Sequence, residues 1–221
     1  MPSPSIIVAP ELSSFDAADL DAVTNAFQRA PACPLRQSWR PDPEPGFVPA
    51  TVRAGWRESS LLVFGDLTDI TIFTHATRSN ERLWELGDVL EIFLRPVEQA
   101  AYSEFQIAPN NLQLHLRYAS PAAFQRAQQS NSIAEALVQD PGFKSRAWTR
   151  PEMSSWCVLA EIPAAAVCDR PKPMTGSAWH FSFCRYDYTR GRAEPVISSS
   201  SALSRPNFHC LSEWGVMQFQ S

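Results

Sequence analysis

Leu83-Trp84-Glu85-Leu86-Gly87-Asp88-Val89-Leu90-Glu91-Ile92-Phe93-Leu94-Arg95-Pro96 is the stretch on which the fold turns. Val89 to Leu94 is a continuous apolar strand broken only by Glu91, and Pro96 ends it. An acid set among Val, Leu, Ile and Phe costs free energy unless something satisfies it. Glu91 therefore either pairs inside the protein or faces a ligand. Trp84 stands ahead of it as an aromatic plate in the loop that delivers the strand, equally suited to packing and to binding.

Working outward, strands dominate. Tyr102 to Ile107 alternates, with Tyr102, Glu104 and Gln106 on one face and Ser103, Phe105 and Ile107 on the other. Leu112 to Tyr118 alternates more cleanly, and Ala108-Pro109-Asn110-Asn111 joins the two as a turn. In that second strand Gln113, His115 and Arg117 read as a solvated polar face. Upstream, Thr51 to Trp56 and Ser60 to Phe64 form a hairpin across Arg57-Glu58-Ser59, and Ile70 to Thr74 is expected to continue the sheet. Downstream, Lys144 to Thr149 pairs with Trp156 to Ile162. Ala178 to Tyr188 is the last long strand, Gly191 to Pro206 a Ser-rich loop, and Trp214 to Phe219 a closing strand.

Two pieces break this rhythm. Asp16 to Arg29 carries Leu20, Val23 and Phe27 at helical spacing, and Pro121 to Gln139 has helical composition with a break near Ser130-Asn131. Between the first helix and the hairpin, prolines 31, 34, 41, 43, 45 and 49 forbid a long helix or a central strand. That leaves an extended wrap with one short strand near Leu35 to Trp39. About ten strands without a βαβ rhythm predict an all-β protein, an antiparallel β-sandwich with an N-terminal helix and a helical insertion. Residues 1–46 read as a helix and Pro-rich wrap packed on the sandwich, and residues 47–221 as the sandwich itself.

Composition narrows the function. Nineteen basic and 23 acidic residues give a net charge of -4 with no basic stripe, which argues against nucleic acid as a partner. No apolar run reaches the roughly 20 residues of a membrane span. Only four apolar residues run together near the N-terminus, without a basic segment before them, so the chain as written reads as cytoplasmic. The odd count of five cysteines contains no C-x-x-C pair and suggests mostly buried thiols. G-x-S-x-G, P-loop and H-E-x-x-H motifs are all missing, so no catalytic residue is assigned. His75, His115, His180 and His209 have no metal-site spacing, and no metal ligand is assigned either.

Several segments, in order, resemble the family 9 carbohydrate-binding modules, within the wider DOMON-like group of sandwiches that hold sugars or haem. They are Trp84 with Asp88 to Leu94, Tyr102 with Phe105-Gln106, Trp156 to Pro163, Phe183 to Asp187, Asn207-Phe208-His209 and Trp214-Gly215. The likeness covers roughly Phe47 to Phe219. It implies a non-catalytic sandwich that grips the end of a sugar chain between two aromatic plates, with structural calcium in some members. Trp84 matches the first plate, Glu91 the acid that takes sugar hydroxyls, and Gln106 a longer polar or basic position. Arg185, Asn207 and His209 complete the expected ligand-binding set, and a small-molecule carbohydrate is the expected partner. The second plate departs from the family: Ile197 to Ser204 contains no tryptophan, leaving Tyr186, Tyr188 or Phe208 to substitute.

Against this stand two rivals. A haem-binding, electron-transfer domain of the DOMON-like kind needs Met and His ligation, for which Met153, Met174 and Met217 are on hand. A scaffold or interaction sandwich with a decayed sugar site accounts for the missing tryptophan. Two further expectations concern charge. Glu91 is expected to pair with Arg185 on another interior-leaning strand and hold the sheets in register. Asp66, Asp69 and Asp88 are the acids from which a calcium site would be built, although no cofactor is expected. The sequence leaves the oligomeric state open.

Overall fold

The computed structural model describes residues 5–169, 174–190 and 192–220. Its strands are β1 (Ile6–Pro10), β2 (Ala32–Pro34), β3 (Ala50–Arg57), β4 (Ser60–Thr68), β5 (Val89–Pro96) and β6 (Tyr102–Ile107). They continue as β7 (Gln113–Tyr118), β8 (Lys144–Arg150), β9 (Ser155–Pro163), β10 (Ala178–Asp187), β11 (Val196–Ser199) and β12 (Gly215–Gln220). One sheet runs β1-β12-β10-β5-β6-β7 with β11 paired to β10, and the other runs β2-β3-β4-β9-β8. All pairs are antiparallel except β1 with β12. The β-sandwich predicted from the alternation is thus the observed architecture.

The two sheets meet across one core. Leu90, Ile92, Leu94, Phe105 and Phe183 from the first sheet face Val52, Val63, Trp156, Val158 and Ile162 from the second, all buried. Side chains of this size contribute about 1.5–3 kcal/mol each on burial. The first sheet is also covered on its outer face, where Val89, Phe93, Leu114 and Leu116 pack with Leu83, Phe208 and Trp214. Cover on both sides explains why β5, Glu91 and Arg95 apart, is apolar on both faces rather than alternating. A third cluster seats α1 (Leu20–Ala26), through Val23 and Phe27, on Leu62, Phe64 and Leu159 of the second sheet.

Helix ends follow local chemistry. Asp19 caps α1, its carboxylate accepting from the Asp21 and Ala22 amides at 2.9 and 3.4 Å. Helix α2 (Pro121–Gln129) opens with Ser120 as cap and Pro121 in the first turn. It stops at Ser130, and Asn131 follows at φ 49°. The short α3 (Ala164–Val167) follows directly on β9. Cys33, Cys157 and Cys184 are buried thiols. Among the described residues no helix is long and apolar enough to cross a membrane.

Four local expectations are corrected. Ile70 to Thr74 is not a strand: the Asp69 amide bonds Ser154 O at 2.7 Å and the Asp69 carboxylate takes the Thr71 amide at 2.9 Å, turning the chain away from the ladder. Only a single bridge, Thr74 to Gly87, remains there. The Ser-rich segment contains β11, which zips onto Cys184 to Asp187. The strand expected at Leu35 to Trp39 lies earlier, at Ala32–Pro34, leaving an isolated bridge between Arg36 and Ser199. Finally, the polar face of β7 looks inward: His115 is 2% exposed, stacked on Phe105 at 4.2 Å, with Nδ1 2.8 Å from Pro141 O. Arg117 beside it reaches Val167 O and Asp169 at 2.6 Å each. The segment around Pro141 and the α3 region cover this side instead of solvent.

Candidate functional site

Strand register builds the centre of the site. β5 and β6 pair with Glu91 opposite Gln106 and Phe93 opposite Glu104, so these four side chains share the outer face of the first sheet. One amide then serves two carboxylates. Gln106 Nε2 donates to Glu91 Oε1 at 2.8 Å and to Glu104 Oε1 at 2.5 Å. Both acids are nearly sealed, at 2% and 3% exposure. Burial pushes Glu104 from 4.5 up to about 7, and burial with the neighbouring Glu104 carboxylate holds Glu91 well above the usual carboxylate range. Gln106 Oε1 is buried with no hydrogen-bond partner among the described residues.

His209 closes one side. Its Nδ1 lies 2.9 Å from the Tyr102 hydroxyl, and its ring stacks on Phe124 of α2 at 3.6 Å. Its Nε2 stands 3.7 Å from Glu104 Oε2, beyond hydrogen-bond distance. Burial holds this ring well below the usual imidazole range. The Asn207 side chain accepts from the His209 amide at 3.0 Å and fixes the loop that carries it.

Trp84 sits on a 3-10 turn, Leu83–Glu85, held by three contacts around it. Its carbonyl accepts from the Tyr188 hydroxyl at 2.6 Å. The Asp88 carboxylate takes the backbone amides of Phe73 and Tyr188 at 2.7 Å each, clasping the loop to the end of β10. Gly87 lies between them at φ 148°, where a Cβ would stand 2.5 Å from Thr74 Cα. Arg82 lies 5.8 Å over the Trp84 ring and is itself bound to Glu85 and Asn131.

Together these parts enclose an open cavity of about 500 Å³ on the outer face of the sheet. Trp84, Glu91, Asn207 and His209 line it, Phe208 and Tyr186 also reach it, and Gln106 sits behind the two acids. Sequence reasoning missed its other walls: Glu104 and Tyr118 from the sheet, and Phe124, Gln128 and Asn131 from the α2 segment. For Glu104 the signal was present, since it shares an alternating polar face with Gln106. None of Met153, Met174 and Met217 lines the cavity; Met174 and Met217 are buried in the core between the sheets.

Arg185 is elsewhere, and its expected pairing with Glu91 does not form. Glu91 lies opposite Cys184, whereas Arg185 lies opposite Leu90, so the two charges point to opposite faces of the sheet. Arg185 instead donates to Thr68 O at 2.7 Å and to Asp69 at 3.0 Å, with Asp187 at 3.4 Å. It is 1% exposed there.

The acids that gather are Asp69, Asp88 and Asp187, with ligand atoms within 4.8 Å of one another; Asp66 is apart, bound to Arg150 at 2.8 Å. Calcium needs six to eight oxygens at 2.3–2.6 Å. Here both Asp88 oxygens accept backbone amides, Asp69 is taken by the Thr71 amide and Arg185, and the guanidinium stands where a cation would. As arranged the cluster fits an arginine, not calcium. Burial and Asp69 push Asp88 up to about 8, and burial pushes Asp187 to about 6.

No family model matches the sequence, and no curated protein matches it. Solved structures do match over nearly its full length. A candidate carbohydrate-binding protein from Bacteroides uniformis superimposes with a TM-score of 0.71 at 18% identity, covering 99% of this chain and 100% of that one. A family 9 carbohydrate-binding module from Caldicellulosiruptor kristjanssonii in complex with cellotriose gives 0.65 at 14% identity, covering 98% and 94%. The same source's module in complex with glucose gives 0.65 at 15%, covering 98% and 96%. The fold of this chain is that of the family 9 carbohydrate-binding modules.

Proposed function

We propose that this protein is a non-catalytic carbohydrate-binding module that takes a sugar, or the end of a sugar chain, into the cavity above Glu91 and Glu104. One observation carries the reading: a pocket of about 500 Å³ joins aromatic rings to buried carboxylates that have unused acceptor oxygens. Sugar rings offer C–H groups to an indole face and hydroxyl donors to carboxylates, so both halves of such a ligand find a partner. Trp84 is the first plate, and Phe208 with Tyr186 takes the part of the tryptophan that the loop after β11 lacks. The structural neighbours in complex with cellotriose and glucose support the ligand class.

A catalytic role finds less support. Glycosidase carboxyls flank the bond they cleave, whereas Glu91 and Glu104 are bonded to one nitrogen and stand on one wall. The test is titration of tryptophan fluorescence with mono- and disaccharides. Saturable quenching that disappears in Trp84→Ala is expected. A flat response in the wild-type protein up to millimolar sugar, together with a blank glycan array, overturns the reading.

A further inference from the structure

The cavity floor holds two carboxylates and no cation assigned to them. Glu91 and Glu104 each use one oxygen on the Gln106 amide, and their Oε2 atoms accept no hydrogen bond from the described residues. The nearby bases are committed. Arg82 is bound to Glu85 and Asn131 at the rim, and His209 shares its Nδ1 with Tyr102 while its Nε2 stays 3.7 Å from Glu104. Gln106 supplies neutral donors only, both of them already in use. The walls mix apolar and aromatic side chains, Phe124, Ile133, Leu116 and Phe208, with neutral polar ones, Gln128, Asn131 and Asn207. Both carboxylates are nearly sealed from solvent, so a charge that meets them is attracted more strongly than it would be in water.

A hydroxyl offers one hydrogen and no charge; an ammonium offers three hydrogens and a full positive charge. A cavity lined by two carboxylates, each with one oxygen left over from the shared Gln106 amide, is therefore better matched by the second. Resting on the carbohydrate reading, we propose that the cavity selects a sugar bearing a protonated amine, of the 2-amino-2-deoxyhexose kind, with the ammonium seated between Glu91 and Glu104. The rest of the ring then lies toward Trp84 and His209. Burial holds both acids above the usual carboxylate range, and a bound ammonium would supply there the positive charge that a proton otherwise provides.

Calorimetric titration with glucosamine, glucose and N-acetylglucosamine, at neutral pH and low salt, tests the proposal. Glucosamine is expected to bind at least about tenfold more tightly than either neutral sugar, a difference of about 1.4 kcal/mol. The preference is expected to persist in about 0.5 M salt, since buried charges are poorly screened, and its loss there would place the amine on exposed charges instead. In Glu104→Gln and Glu91→Gln the ratio of glucosamine to glucose affinity is expected to fall at least threefold, whatever happens to glucose binding itself. Thermal melts confirm that each variant is folded. Equal or tighter binding of glucose in the wild type overturns the amine preference and leaves the carbohydrate reading standing. No binding of any of the three sugars overturns the amine preference, and the carbohydrate reading falls with it only if disaccharides and a glycan array are blank as well.

Discussion

Replacing Glu104 with glutamine is expected to stabilise the ligand-free protein, but only at a pH where the wild-type carboxyl is ionised. In the folded chain burial raises this group from 4.5 to about 7, against a smaller opposing pull from the Gln106 amide. Between those two values the folded state binds more protons than the unfolded state, so stability falls as pH rises through that window. A rise of roughly 2.5 units at about 1.36 kcal/mol per unit amounts to about 3 kcal/mol lost by pH 8. Glutamine is neutral throughout and removes this cost. Against it stands the disturbed bond to Gln106, worth about 1 kcal/mol at every pH. The variant should then be about 1 kcal/mol less stable than wild type near pH 4.5 and about 2 kcal/mol more stable near pH 8. Urea unfolding followed by tryptophan fluorescence gives both numbers from the midpoints, provided the slope is unchanged. A variant that is less stable than wild type at pH 8, or a gap that does not change with pH, would refute the reasoning.

Two further predictions concern the frame of the site. Gly87→Ala should cost about 2–3 kcal/mol, because the new Cβ meets Thr74 Cα at 2.5 Å in a backbone conformation that glycine alone tolerates well; chemical denaturation measures it, and fluorescence titration should show weakened sugar binding as the Trp84 turn shifts. Arg185→Met should cost about 3–5 kcal/mol by leaving Asp69 and Asp187 buried without their partner. A loss under 1 kcal/mol in the same unfolding assay would mean that the three acids accommodate themselves by protonation alone.

Much of the fold was legible because alternation is a local property. β5, β6 and the turn between β6 and β7 could be read from neighbouring residues, as could α2 up to Ser130, whereas the helix expected to run on past that break to Gln139 is not formed. What a strand cannot show is which of its two faces will be covered. Gln113, His115 and Arg117 were rightly placed on one face of β7, yet that face turned out to lie under Pro141 and α3. The same gap separates Glu91 from Arg185. Their strands are adjacent, but the pairing of Cys184 with Glu91 is set by long-range register, and a shift of one residue reverses every contact. For the site itself, Trp84, Glu91, Gln106, Asn207 and His209 gathered around one cavity, while Phe124 and Asn131 joined it from an insertion whose direction depends on tertiary packing.

That insertion has a wider meaning. α2 contains no fully buried residue and touches the sandwich through half-covered side chains such as Phe124 and Ala127, yet it makes one flank of the cavity. Changes along it therefore alter what the cavity admits while leaving the cores that hold the two sheets together intact. Under the proposed function, what the cavity selects is separable from thermodynamic robustness, so drift in a peripheral helix could retune the first without risking the second.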